Sequence, residues 1–129
     1  MSARRAEARR ERGLKGRRDG RAAEVIAAVF LMLKGYQILG FRLRTREGEI
    51  DLLARRGKRL VVVEVKRRST VEEALQALDP SQRERLLRAA RSLTARRPAL
   101  RHLDLRLDLI ALAPGRLPRH VLDVMADSF

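Results

Sequence analysis

Two short apolar runs in the middle of the chain, Ile50-Asp51-Leu52-Leu53-Ala54 and Leu60-Val61-Val62-Val63-Glu64-Val65-Lys66, set the pattern from which the rest is read. Each is rich in Val, Leu and Ile and is bounded by polar or Gly-containing stretches, so each predicts a strand, and residues 55–59 between them predict the turn of a hairpin. Upstream, residues 36–43 predict a strand with Leu39, Phe41 and Leu43 on one face. Before it, residues 21–34 carry Val25, Ile26, Val29, Phe30, Met32 and Leu33 at helical spacing, with Asp19 as a candidate start cap and Gly35 as a left-handed end cap. Downstream, Ser69 or Thr70 with Glu72 or Glu73 forms a capping-box pattern for a short helix containing Val71, Ala74, Leu75 and Leu78. Asp79-Pro80 starts a second helix that runs to about Arg97, before Pro98, and buries Leu86, Ala89, Ala90 and Leu93. Residues 103–113 predict a strand with Leu105, Leu107 and Leu109 facing one way and Asp104, Arg106 and Asp108 the other. Pro114-Gly115 turns the chain, and residues 117–122 return as a last short strand.

This order of elements predicts an α/β fold. A leading helix, a three-stranded antiparallel meander, a helical crossover and two further strands make a mixed β-sheet flanked by helices on both faces. The run at residues 60–66 is apolar on both faces along most of its length, which marks a central strand covered on both sides.

Parity within the hairpin is what raises the question of chemistry. Strict alternation points Glu49 and Asp51 one way and Ile50, Leu52 and Ala54 the other, while Glu64 and Lys66 share a face with Leu60 and Val62. If Arg55 faces Leu60 across the turn, the same register sets Asp51 opposite Glu64 and Glu49 opposite Lys66. Directly opposed carboxylates in a mostly dry sheet destabilise it unless they share a proton or a cation neutralises them. Mg²⁺ or Mn²⁺ would do the latter, since a hard cation takes oxygens from one or two carboxylates and keeps several waters. Lys66 beside such a pair could orient a water or stabilise charge on a phosphate.

Composition extends this reading toward polyanions. In 129 residues, 30 Lys and Arg face 16 Asp and Glu, a formal charge of +14. A codon bias toward Arg explains Arg standing for Lys, but not the excess of base over acid, and phosphate backbone is the commonest polyanion. Residues 1–19 are a basic arm with little apolar content, read either as a phosphate-binding tail or as a solubilising extension; residues 20–129 are expected to form one domain. Arg42, Arg44 and Arg46 lie on the alternate face of the first strand or in its turn, and Arg83 lies on the outer surface of the second crossover helix; all could hold phosphates. Arg on a sheet edge also serves simply to prevent aggregation. Cys is absent and aromatic residues make up only 3%, which argues against disulfides, a zinc site and base-stacking platforms. No apolar run reaches membrane-spanning length, so no membrane partner is expected and the cytoplasm is the default location.

Asp51, followed thirteen residues on by Glu64-Val65-Lys66, resembles the D…(D/E)-x-K core of the PD-(D/E)xK nuclease superfamily, and the spacing is similar to that of archaeal Holliday-junction resolvases. The longer string resembles the YraN family of small bacterial proteins, over most of the chain from about Gly20. It runs from Gly35-Tyr36 and Ile38-Leu39 through Gly48-Glu49-Ile50-Asp51-Leu52 and Val63-Glu64-Val65-Lys66 to Arg68, Arg106-x-Asp108 and His120. Ile50 stands where the superfamily has a proline that is not a ligand, and Arg42 stands where many relatives carry an asparagine.

The resemblance implies a restriction-endonuclease-like sheet and a site of Asp51 and Glu64 as metal ligands for Mg²⁺ or Mn²⁺, with Lys66 catalytic. It also implies that Glu24 of the leading helix joins the acidic cluster and that Gln82 stands near the metal-bound water or phosphate. The helix dipole is the alternative account of Glu24, and simple end-capping that of Gln82. Arg68, just beyond the motif, joins the basic residues at the substrate. Arg106-x-Asp108 is expected to be a structural ion pair, and His120 to brace the C-terminus.

Two functions follow. One is a metal-dependent, structure-selective DNA endonuclease hydrolysing phosphodiesters in repair or recombination, its substrate duplex or branched DNA. The alternative is a non-catalytic nucleic-acid-binding module that keeps the acidic site for metal binding or folding. A homodimer is a candidate assembly for either.

Overall fold

The computed structural model describes residues 21–125; the arm expected over residues 1–19 and the Asp19 cap lie outside them. Helix α1 occupies residues 21–33. It ends in a Schellman turn in which Gly35, at φ 91°, donates to the Met32 carbonyl and Tyr36 donates to the Leu31 carbonyl, both at 3.0 Å. That glycine lets the chain reverse directly into β1 (Gln37–Arg44), followed by β2 (Glu49–Arg56) and β3 (Arg59–Arg67) as an antiparallel meander. Gly57, at φ 61°, and Lys58 make the hairpin turn between β2 and β3.

A parallel strand cannot follow β3 without a crossover. Helices α2 (Val71–Ala77) and α3 (Pro80–Ala95) and a 3-10 turn (Pro98–Leu100) supply it and lead to β4 (Asp104–Leu112), which lies parallel to β3. Strand β5 (Arg119–Val121) then pairs antiparallel with β4, giving the sheet order β1-β2-β3-β4-β5. The crossover helices start as their sequences predict: the Thr70 hydroxyl accepts from the Glu73 amide at 3.1 Å, and the Asp79 carboxylate accepts from the Gln82 amide at 2.8 Å ahead of Pro80. The result is an α/β fold with a mixed five-stranded sheet flanked by three helices.

Two apolar layers sandwich the sheet. On one side Leu86, Ala89 and Ala90 of α3 and Ala74 of α2 pack on Ile50, Leu53, Leu60, Val62, Leu107 and Leu109. On the other, Ala23, Ala27, Ala28 and Leu31 of α1 pack on Leu52, Ala54, Val61, Val63 and Ile110. Leu60 to Val63 have no solvent exposure, so β3 is central and covered on both faces, and each of these side chains contributes about 1.5–3 kcal/mol by leaving water.

Helix α1 corrects the expected stripe. Val25, Ile26, Val29 and Met32 are about half exposed and Leu33 more so, while the small residues at 23, 27 and 28 face the sheet. Alanines let the helix approach closely, and one turn of such packing covers more of the sheet than a row of larger side chains held further off. Phe41 is likewise exposed instead of joining Leu39 and Leu43, which pack on the α3 side.

Candidate functional site

Strand β2 changes face at Asp51. Ile50 packs in the α3 layer with Leu53, whereas Leu52 and Ala54 pack in the α1 layer, so strict alternation fails between residues 50 and 52. The β2–β3 register is the one that sets Arg55 opposite Leu60, but the paired residues stop at Leu52 and Val63. Beyond that point the Asp51 side chain replaces the ladder: its Oδ2 accepts the Val65 amide at 3.0 Å. Irregularities of this kind re-aim side chains at the ends of pairing. On the neighbouring strand, Arg42 has φ 48°, a left-handed conformation that costs a non-Gly residue about 1–2 kcal/mol and that asparagine tolerates better.

These irregularities bring a half-buried Asp51 beside a buried Glu64 at the carboxyl end of β3. Burial, then repulsion from Asp51, pushes the Glu64 carboxyl up to about 8. Burial also raises Asp51, against the Val65 amide and Glu64, so the two carboxyl groups titrate as a pair in which ionising both is disfavoured. Lys66 Nζ stands 3.4 Å from Glu64 Oε1, with its own side chain largely buried. The expected Asp51–Glu64–Lys66 constellation is therefore brought together in space.

Other expected partners are arranged differently. Glu49 does not reach Lys66; it pairs with Arg44 across β1, at 3.9 Å and well exposed, because β2 leaves β3 before that row. Glu24, 8% exposed, points from α1 toward the site and its charge raises Asp51, but both its oxygens are held by Arg42 Nε at 2.9 and 2.8 Å. Arg42 is thus a counter-ion to a buried acid and not a free phosphate ligand. Gln82 is engaged through its backbone amide in the α3 cap, and its side chain makes no hydrogen bond to Asp51, Glu64 or Lys66.

Arg83, expected on the nucleic-acid face, is a clamp instead. Its guanidinium donates to the carbonyls of Leu78 at 2.8 Å, Val124 at 2.7 Å and Leu75 at 3.4 Å. A short helix such as α2 leaves carbonyls without partners at its end, and Arg83 satisfies them while tying down the C-terminal segment. Arg44, Arg46 and Arg68 remain exposed.

A second polar cluster lies in the α1 layer. Asp108, with no exposure, accepts from Arg106 Nε and Nη2 at 2.8 and 2.9 Å, from the Asp123 amide at 2.9 Å, and pairs with His120 Nε2 at 2.7 Å. Burial alone would raise Asp108, but the His120, Arg106 and Asp123 hydrogen bonds outweigh it and hold the carboxyl below its ordinary range. Arg106 also donates to the Tyr36 hydroxyl at 2.8 Å, and Lys34 Nζ lies 2.7 Å from His120 Nδ1. This network joins the end of α1, β4 and β5, the bracing role that the sequence suggests for Arg106-x-Asp108 and His120. The contacts of Tyr36 and Lys34 with it carry no sequence signal, since they depend on the Schellman turn bringing both residues back over the sheet.

As metal ligands the described residues offer a limited set: no group of three or more His, Cys, Asp and Glu side chains among them is arranged to hold an ion. What they offer is two hard carboxylates, Asp51 fixed by a backbone amide and Glu64 beside a lysine. Also among the described residues, no helix is long and apolar enough to cross a membrane.

Comparison with known proteins gives a family but no activity. The model of uncharacterised protein family UPF0102 matches residues 23–112. A UPF0102 protein of Caulobacter vibrioides strain NA1000 / CB15N is 65% identical over 115 residues, covering 89% of this chain and 92% of its own length. UPF0102 proteins of Maricaulis maris and Rhizobium johnstonii are 52% and 49% identical over 101 and 109 residues, covering 78% and 84% of this chain and 80% and 89% of their own.

Proposed function

The chain belongs to the uncharacterised protein family UPF0102, and from that premise we propose that it is a divalent-cation-dependent DNA endonuclease of restriction-endonuclease-like architecture, with Asp51, Glu64 and Lys66 as its centre. The observation that carries this reading is a buried Glu64 beside a lysine, with a half-buried Asp51 held on the neighbouring strand by the Val65 amide, on a chain of formal charge +14. A folded protein gains nothing in stability from opposed buried acids, so their presence points to a ligand that needs both.

The residues fit Mg²⁺ or Mn²⁺ better than zinc. Two oxygen donors leave most of an octahedral shell to water, which suits a hard ion, whereas a closed zinc site needs four ligands of the His and Cys kind. Asp51 and Glu64 would hold the ion. When bound, it supplies Lewis-acid stabilisation of phosphoryl charge and an acidified water.

The chain's own residues set the rest of the site. The Val65 amide fixes the orientation of Asp51, as hydrogen bonds behind a ligand generally do. Lys66 keeps its ammonium beside Glu64, where it can meet the negative charge that grows on a phosphate in the transition state. The Glu24–Arg42 pair stands behind Asp51 and fills the position of a third acid with a neutralised one. That neutralisation favours a second reading, a nucleic-acid-binding module whose acidic site takes a metal without turnover.

Cleavage of labelled junction, flap, duplex and single-strand substrates, with and without Mg²⁺ or Mn²⁺, separates the two. Metal-dependent cleavage of particular structures is expected. DNA binding without cleavage of any of them would leave the module as the function.

A further inference from the structure

A pocket of about 90 Å³ opens between the end of β3, the start of α2 and the turn from β4 to β5. Arg68, Arg116 and Arg119 surround it, with Ser69 and Thr70 on one wall, Ala111 contributing little bulk and Glu72 as its one acid. We propose that this pocket is a second phosphate subsite, which holds a backbone phosphodiester of the same nucleic-acid strand whose scissile phosphate lies at Lys66. The inference rests on the nuclease reading and extends it to the path of the strand.

The sheet register places the pocket on that path. Lys66 pairs with Ala111 on β4, and Ala111 pairs with Arg119 on β5, so all three lie in one row and share one face of the sheet. Two strand spacings put Lys66 and Arg119 about 10 Å apart. That is the scale of one to two phosphate steps of a strand, each of which advances about 3.4 Å along the duplex axis and also winds around it. Ala111 between them leaves the row open where a longer side chain would block it.

The backbones of Arg68 and Arg116 are also held in place, and the side chains of Arg116 and Arg119 lack internal partners among the described residues. Arg116 sits in a turn closed by its own amide on the Ala113 carbonyl at 3.2 Å, with Gly115 at φ 71° and prolines at 114 and 118. Proline removes backbone freedom before any ligand arrives, so less is lost on binding. The backbone of Arg68 is tied to β4 through the Leu112 carbonyl at 3.1 Å, and its side chain is bent onto the Arg67 carbonyl at 2.7 Å. Neither the Arg116 nor the Arg119 side chain has a hydrogen bond or ion pair among the described residues. Three guanidinium groups around one pocket repel one another, and a solubilising surface has no need to gather them; an anion in the pocket reverses the sign of that interaction. Arginine is also the side chain that grips phosphate by two parallel hydrogen bonds.

The test compares full-length Arg116→Ala/Arg119→Ala with a charge-matched control, Lys58→Ala/Arg59→Ala, at the far end of β3. Fluorescence polarisation of labelled duplex and junction DNA is measured over a salt series, together with circular dichroism to confirm the fold of both variants. The pocket variant should lose about eightfold in affinity per phosphate contact at 0.1 M salt and flatten the salt slope by about 1–2, with the control close to wild type. Equal slopes for the two variants would overturn the subsite while leaving the nuclease reading intact. Absence of DNA binding by the wild type would overturn both. Inorganic phosphate forms the second arm, followed by NMR of the arginine Nε–H groups. Phosphate shifts that vanish in the pocket variant, combined with an unchanged DNA slope, would assign the pocket to a small phosphate compound and overturn the proposal.

Discussion

Replacing Glu64 by Gln should stabilise the metal-free protein at alkaline pH, although it removes a polar contact from the interior. The Glu64 carboxyl is pushed up to about 8 from an ordinary 4.5. Between those values the folded state holds a proton that the unfolded state has released, so stability falls as pH rises. The stabilisation of the protonated form is complete below about 4.5 and is lost as pH passes through about 8. At about 1.4 kcal/mol per pH unit, the ceiling on the cost of ionising Glu64 is about 5 kcal/mol. A proton shared with Asp51 would reduce that figure, as does the nearby Lys66, so an effect of about 2 kcal/mol is expected. The assay is urea and thermal unfolding of wild type and Glu64→Gln in chelator, from pH 5 to 9. Near pH 9 the variant should melt about 8 °C higher, and near pH 5 the two should converge. Saturating Mn²⁺ should then raise the wild type and leave the variant unchanged, by about 2.7 kcal/mol at a hundredfold excess over Kd. A wild type whose stability is flat over this range, with a variant no more stable at pH 9, would refute the coupled carboxyl pair.

Three further predictions concern residues whose roles the structure reassigns or leaves to solution. Arg42→Ala should destabilise, since it leaves Glu24 buried and unpaired, and Glu24→Gln/Arg42→Asn should recover most of that loss in denaturant titrations. Arg83→Ala should lower stability by about 2 kcal/mol through the lost carbonyl contacts, while the salt slope of DNA binding stays at the wild-type value; a flattened slope would return Arg83 to the nucleic-acid face. Deleting residues before Asp19 should weaken binding to DNA of any sequence and flatten the salt slope, as read by polarisation; an unchanged slope would make the arm a solubilising extension.

The sheet was legible because its signals are local. Alternation, caps at Thr70 and Asp79, the glycine at 35 and a parallel strand that demands a crossover each follow from short stretches of sequence. The hairpin register was legible too, but not where it ends, because the turnover of β2 at Asp51 is fixed by a side chain accepting a backbone amide fourteen residues away. The face of α1 was misread because the search for large apolar residues passes over Ala23, Ala27 and Ala28, whose small size is what the sheet requires. At the site, Asp51, Glu64 and Lys66 stood out as charges inside apolar runs. Arg42 and Arg83 look like any surface arginine, and their burial partners, Glu24 and the carbonyls of Leu75, Leu78 and Val124, come from distant parts of the fold.

Single-turnover cleavage by Lys66→Ala, measured alongside its DNA affinity, tests the catalytic claim most directly. One phosphate contact is worth at most about eightfold at 0.1 M salt, so affinity should fall by no more than that. A charge placed to act in the transition state contributes to rate, so cleavage should fall about a hundredfold or more. Wild-type cleavage that persists at an equal rate in purified Lys66→Ala would contradict the account and point to a contaminating nuclease.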